Sequence, residues 1–506
     1  MKVDDLDVVA AADRGLLEEW AVGLDALGEL IGPRFFRREP RARALAYVKA
    51  LLSQVETRNG WTVAEAAGEK TPTGMQRLLN DAVWDEAGVR EDLRSYVVTH
   101  LGADDGVLVF DETGDIKQGN HTVGVARQYT GVTGQVENCQ VSVHAGYVSS
   151  RGQALIDTEL YLPDAYAHDS ERCAEAGVPA ERAGVVITKG DLAAVMFGRA
   201  AAAGMPFSYV AGDEVYGRST NLRSAIETTG GCGYVLEVGC DLRVCHVPGD
   251  KPRVDALPAE VPRWAWEHRS QGHGTKGLRY HAWAWIALDS RDCPPGWRRI
   301  LLIRRDPDDA AAAEHSRRKN SKNNKAGKNV KSGADGKGDR IPSDAGGEQY
   351  AYFLCYHRLG TTLGELIQVA GRRWGIEESF AIAKSETGLD EHQVRLWRAW
   401  YRHAILSMLA AAFLAAMRAR PPPSKPHRLA GGLIPYTCNE IHRLLATTLL
   451  VHDRGIIFTL RWSAWRRRHQ ARAELSHYQR RGELLDHPSH HLINKANRQD
   501  QLNVLL

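Results

Sequence analysis

Residues 106–114 read GVLVFDETG. A glycine opens a short run of apolar residues, Val107–Phe110, and the run meets an acid at Asp111. Val and Phe favour the pleated backbone, and a short apolar run bounded by turn formers reads as a buried strand. Asp111 then stands directly after that strand. The same arrangement returns at Phe207–Asp213, FSYVAGD, where Asp213 follows a second buried strand. Open α/β sheets carry their ligand sites at the carboxyl ends of strands, which is where both acids fall.

Outward from these strands, Gln140–Tyr147 and Leu155–Leu162 read as two more, joined by a turn at Ser149–Gly152. A helix is expected near Gly190–Gly204 and a further strand at Gly233–Gly239. Strands first, then a helix and more strands, predict a mixed α/β sheet. Tyr280–Leu288, Ile300–Ile303 and Tyr350–Tyr356 add later strands. Between the last two, 313–347 is rich in Lys, Asn, Gly, Ser and Asp, and it reads as a disordered loop.

A third acid comes from a helical stretch, RRWGIEESFAIAK at Arg372–Lys384. Arg373, Glu377 and Lys384 are spaced to share one helical face. Trp374, Ile376 and Phe380 are expected to anchor that helix to the sheet.

Residues 1–100 read as helical, with apolar periodicity at Leu16–Leu30 and Ala42–Val55. Asn59–Leu79 has the form of a helix, a Thr-Pro-Thr-Gly turn and a second helix that Thr73 could cap. A helix–turn–helix DNA reader and a plain helical bundle both fit. The longest apolar run, Ala404–Met417, falls short of the roughly 20 residues of a membrane span and reads as a core helix. The acidic N-terminus MKVDDLD is unlike a signal peptide, so a cytoplasmic protein is expected, without a membrane partner.

The net charge of +3 is uninformative, but its distribution is not. Arg461–Arg481 holds seven arginines against one acid, and Arg34–Arg43 is also basic. Such patches suit phosphate. The eight cysteines form no Cys-x-x-Cys pair, and Cys232, Cys240, Cys245 and His246 lack structural-zinc spacing. Gly-x-Ser-x-Gly and Walker loops are both missing, which counts against a small-molecule hydrolase.

The helix resembles the Tyr-x2-Arg-x3-Glu-x6-Lys signature of bacterial insertion-sequence DDE transposases, matched at Arg373, Glu377 and Lys384, with Ala370 in place of the tyrosine. The signature selects Glu377 over Glu378. FDETG, TVGVARQYTG (122–131), ENCQV (137–141), ALIDTELYLP (154–163), GDEVYG, GLDEHQVR and AWYRH resemble the insertion sequence 701 family more closely. NGWTVAEAAGE, GMQRLL and WRRRHQAR resemble its two ends.

That resemblance implies an α/β protein with a ribonuclease H-like catalytic core split by a β-rich insertion. The expected division is a helical DNA-binding region (1–104), the first part of the core (105–240), the insertion (241–356), the helical second part of the core (357–450) and a basic tail (451–506). It implies a catalytic, metal-binding triad of Asp111, Asp213 and Glu377, with two Mg²⁺ per site and Mn²⁺ as a substitute. The implied partner is double-stranded DNA, both transposon terminal inverted repeats and target, held by an expected homodimer. Arg373, Lys384, Arg127, Lys276, Arg279, Arg466, Arg467 and Arg468 are the expected DNA contacts, with structural pairing to Glu377 the other reading of Arg373 and Lys384. Trp264, Trp266, Trp283 and Trp285 are candidates for stacking a flipped base at a hairpin end, or for core. A nuclease that cuts without joining, and a DNA-binding protein derived from a transposase, remain alternatives.

Overall fold

The computed structural model describes residues 3–247, 249–274, 277–306, 350–420, 435–451 and 454–481. The loop read at 313–347 and Lys276 lie outside them, as does the end of the basic tail.

Ten strands form one mixed sheet: β1 (Val107–Ile116), β2 (Ala126–Thr130), β3 (Gln135–Ser149), β4 (Gly152–Tyr161), β5 (Tyr209–Gly212), β6 (Gly233–Val238), β7 (Glu267–Gly274), β8 (Gly277–Ala287), β9 (Trp297–Arg305) and β10 (Tyr350–Arg358). The order is β2-β3-β1-β5-β6-β10-β9-β8-β7, with β4 also paired to β3. β1, β5 and β6 run parallel, and the remaining pairs are antiparallel. The later strands therefore extend the same sheet, because β10 pairs directly with β6. β7 carries little apolar signal in EHRSQGHG and was not expected.

Helices cover the sheet. Trp397–Ala419 is apolar on every side and buried, so it packs as a core helix of the fold. On one side it meets β4 and the helix Glu86–Leu101. That helix is welded to the sheet by charge. Buried Asp157 and Glu159 on β4 meet Arg90 and Arg94 from the helix, with Arg199 at 2.8 Å from both acids and Arg182 at 3.2 Å from Glu159. The Tyr401 hydroxyl also donates to Glu159 at 2.8 Å. Buried carboxylates need such pairing to stay charged.

The N-terminal region is helical as read, through Val3–Ile31, Arg38–Leu51, Gly60–Ala66, Thr73–Asn80 and Glu86–Leu101. Asn59 caps the third with a reciprocal capping box. Thr73 is not a cap. Pro72 already has helical dihedrals and is itself the first residue outside the helix, leaving Thr73 inside. Of the basic stretch 34–43, Arg34 is bound to Asp92 and Asp85, and Arg43 to Glu39 and Glu69.

The basic tail begins as a helix, Gly455–Arg481, docked on the N-terminal region. Trp465 packs edge-on against Trp61 at 5.0 Å, and the Trp462 indole donates to the Glu69 carbonyl at 3.0 Å. Arg466 pairs with Glu65.

Candidate active site

Parallel strands set the site. Phe110, Gly212 and Leu236 lie side by side on β1, β5 and β6. The next residue on each chain segment is an acid: Asp111, Asp213 and Glu237. Asp111 differs from its expected place in one respect. β1 continues to Ile116, because the long β3 keeps pairing with it past the end of β5, so Asp111 sits within the strand opposite His144. It is the parallel pairing that ends at Phe110.

Asp213 also caps the short helix Glu214–Gly217, accepting from the Val215 amide at 2.9 Å. Gly217 permits that helix to lie on β6, since a Cβ there would strike the Glu237 carbonyl.

Asp111, Glu112 and Asp213 each present a carboxylate oxygen within 4.8 Å of the others. Among the described residues this is the one such group of ligand-type side chains. Glu112 is held by Lys189 Nζ at 2.7 Å and by the Tyr216 hydroxyl at 2.8 Å. Glu377 joins the group through Arg373, whose guanidinium lies 3.1 Å from Glu377 and 3.7 Å from Asp111. Glu378 turns away and accepts from Gln153 on β4.

The glutamate helix is Trp374–Thr387, and it is separate from Leu363–Arg372. Arg373 stands at the junction, so the basic residue precedes the helix that carries Glu377. Ile376 and Phe380 bury themselves against the sheet as expected, with Gly146 on β3 leaving room for Ile376. Trp374 does not; it is 41% exposed.

Electrostatics mark a site short of positive charge. Burial, then Asp213 and Glu112, push the Asp111 carboxyl up to about 8. Burial, then Glu112, push Asp213 to about 6. Burial raises Glu377 as well, against the pull of Arg373. Burial opposes the Arg373 charge, but Asp111 and Glu377 outweigh it and hold its pKa high. Hard carboxylate oxygens gathered this way fit a divalent cation of the Mg²⁺ type, which would supply the missing charge.

The remaining expected residues are spread more widely. Lys384 is engaged by Asp115 at 3.6 Å and Asp390 at 3.7 Å, not by Glu377. Arg279 on β8 lies over the Trp374 ring. Arg127 is exposed on the edge strand β2, and Arg467 and Arg468 are exposed on the C-terminal helix. The four tryptophans differ. Trp283 is fully buried against Phe353, which leaves no face for a base. Trp266 packs on Tyr350, under Arg305, and Trp285 lies half-exposed under Arg298. Trp264 is 85% exposed.

Two acids escaped the sequence reading. Glu112 follows Asp111, and strict alternation along a strand assigns it to the other face. Glu237 lies in GYVLEVG, where an acid inside an apolar parallel strand was itself the available signal. All eight cysteines are free.

Residues 31–262 match the DDE superfamily endonuclease family. The match contains Asp111, Glu112, Asp213 and Glu237 and ends before the glutamate helix. A curated protein of Microchaete diplosiphon, described as "Probable transposase for insertion sequence element IS701", is 26% identical over 157 residues. The chain spans 38% of that relative's length, using 31% of its own. Both findings are consistent with a DDE transposase of the IS701 family. A solved structure, the piggyBac transposase synaptic complex with hairpin DNA, aligns over 82% of this chain and 71% of its own at 10% identity, with a TM-score of 0.37.

Proposed function

We propose that this protein is a DNA transposase that cleaves transposon ends and joins them to target DNA by phosphoryl transfer. The observation that carries the reading is the row of acids at the end of the parallel strands, with Glu377 brought to it by Arg373. β4-β3-β1 antiparallel, followed by β5 and β6 parallel to β1, supports a ribonuclease H-like core. In this reading β7–β9 and most of β10 fall in the insertion, 241–356, between Asp213 and Glu377.

Asp111, Asp213 and Glu377 would hold the divalent ions, two Mg²⁺ or Mn²⁺, and Glu112 is placed to assist. When bound, such ions activate the attacking oxygen and stabilise the leaving one. The chain's own part is positioning. Arg373 keeps Glu377 turned toward Asp111. Lys189 and Tyr216 keep Glu112 beside both aspartates. Arg373 and Arg279 offer planar forks to phosphate oxygens. Water attacks first at the transposon end and releases a 3′-hydroxyl, which then attacks the opposite strand or target DNA. A protein–DNA covalent intermediate is not required.

Outside the site, Arg467 and Arg468 are proposed to contact backbone phosphate, and Trp264 to stack on an unpaired base. Two copies are proposed to hold the two ends. A joining assay with pre-cleaved ends and target plasmid tests the reading. Joined product is expected. Cleavage of uncut ends without joining would make the protein a nuclease, and neither activity would leave a DNA-binding protein.

A further inference from the structure

Trp374 was expected to be an anchor on the sheet and is instead half in solvent. Two guanidinium groups lie on its ring. Arg373 has its Cζ 5.1 Å from the indole centroid, and Arg279 has its Cζ 5.1 Å from the same point. Both are within cation–π range. One comes from the junction before the glutamate helix, the other from β8 in the later strands.

The two arginines are differently satisfied. Arg373 is neutralised by Asp111 and Glu377. Arg279 makes no ion pair among the described residues, and its buried Nε has no hydrogen-bond partner. Burial, then Arg304, lowers its pKa from the ordinary arginine value, with Arg373 acting the same way and Glu377 against. A partly buried guanidinium with an idle donor, within electrostatic reach of a second guanidinium on the same ring, is costly unless an anion meets it. The indole compensates for part of that cost and fixes where the charge sits. Planar forks match the non-bridging oxygens of a phosphodiester.

We infer that Trp374 is a positioning residue that holds Arg279 of β8 beside Arg373, making a two-guanidinium clamp for a DNA backbone phosphate next to Glu377. The inference rests on the reading of the site as one that acts on DNA. It also gives the later strands a direct part in that site.

The test uses the full chain and a fluorescein-labelled random-sequence DNA duplex, without divalent metal, titrated over a salt series. Each phosphate contact contributes about 0.9 to the slope of log affinity against log salt. Arg279→Ala and Trp374→Leu should each flatten the slope by about one contact. That amounts to roughly threefold less affinity lost between 50 and 200 mM salt. The double variant should flatten it no further than Arg279→Ala alone, and Trp374→Phe should restore the wild-type slope. A wild-type slope in Trp374→Leu, or additive effects in the double variant, overturns the inference while DNA binding stands. Wild-type protein that does not bind the duplex overturns the DNA reading itself. Should Trp374→Leu fail to fold, Arg279→Ala decides alone, an unchanged slope counting against the clamp.

Discussion

Phe110 of β1 and Gly212 of β5 are register partners in parallel strands, so the acids that follow them, Asp111 and Asp213, reach the same level of the sheet. Burial, then charge repulsion, makes both carboxylates poor acids.

Asp111 should make metal-free protein less stable as pH rises. Its folded pKa of about 8 lies above the ordinary value of 3.8, so the folded state binds the proton more tightly. The stabilisation is full below about pH 4 and is lost as pH rises toward 8. Asp111→Asn should therefore unfold at a higher temperature than wild type at pH 8 in EDTA, with the gap closing near pH 4. Mn²⁺ should raise the wild-type midpoint and release a proton, and do neither in the variant. Equal midpoints at pH 8 would contradict the placement.

Two histidines predict the opposite slope in acid. Burial lowers His144 to about 3, and burial, followed by His392, lowers His403 to about 3. His403 sits between the Tyr47 hydroxyl and the Gly388 carbonyl. The unfolded chain takes up protons first, so their stabilisation is full above about pH 6.5 and is lost as pH falls toward 3. At pH 5 the loss is about 2 kcal/mol for each. Urea midpoints at pH 7 and pH 5 measure it, and a flat profile would count against it.

The three tail arginines should not behave alike. Arg466 is paired with Glu65, whereas Arg467 and Arg468 face solvent. Alanine at Arg467 and Arg468 should flatten the salt slope by about two contacts. Arg466→Ala should leave that slope nearly intact and instead loosen the docked helix, read as faster proteolysis near residue 455. Equal effects on the slope from all three would refute the distinction.

Trp264 and Trp283 offer a paired test. Trp283 is core, and Trp283→Ala should cost about 3–5 kcal/mol of stability. Trp264 touches solvent, so Trp264→Ala should leave stability within about 0.5 kcal/mol. If Trp264 stacks a base, its loss should reduce hairpin formation and strand cleavage at the element's ends, and wild-type product yields would remove it from that role.

Much of the sheet was legible because apolar runs such as Val107–Phe110 and Phe207–Gly212 have little else to become. The pairing of Glu377 with Arg373 was legible in their spacing, and Glu378 has a different partner, Gln153. The register row was not legible, since Glu237 meets Asp213 only once strand order is known. Nor was the break at Arg373, where helical periodicity continues through the junction. Tail docking depends on Trp61 meeting Trp465, a contact between distant segments with no local trace. Lys384 looked like a partner of Glu377 by spacing, but Asp115, buried on β1, claims it.

Cleavage of DNA carrying the element's own ends by Asp111→Ala, with Mg²⁺ or Mn²⁺, tests the central claim most directly. The wild type should nick at the transposon end, and the folded variant should give no product above background with either metal. Retained cleavage in Asp111→Ala would contradict the assignment of this site.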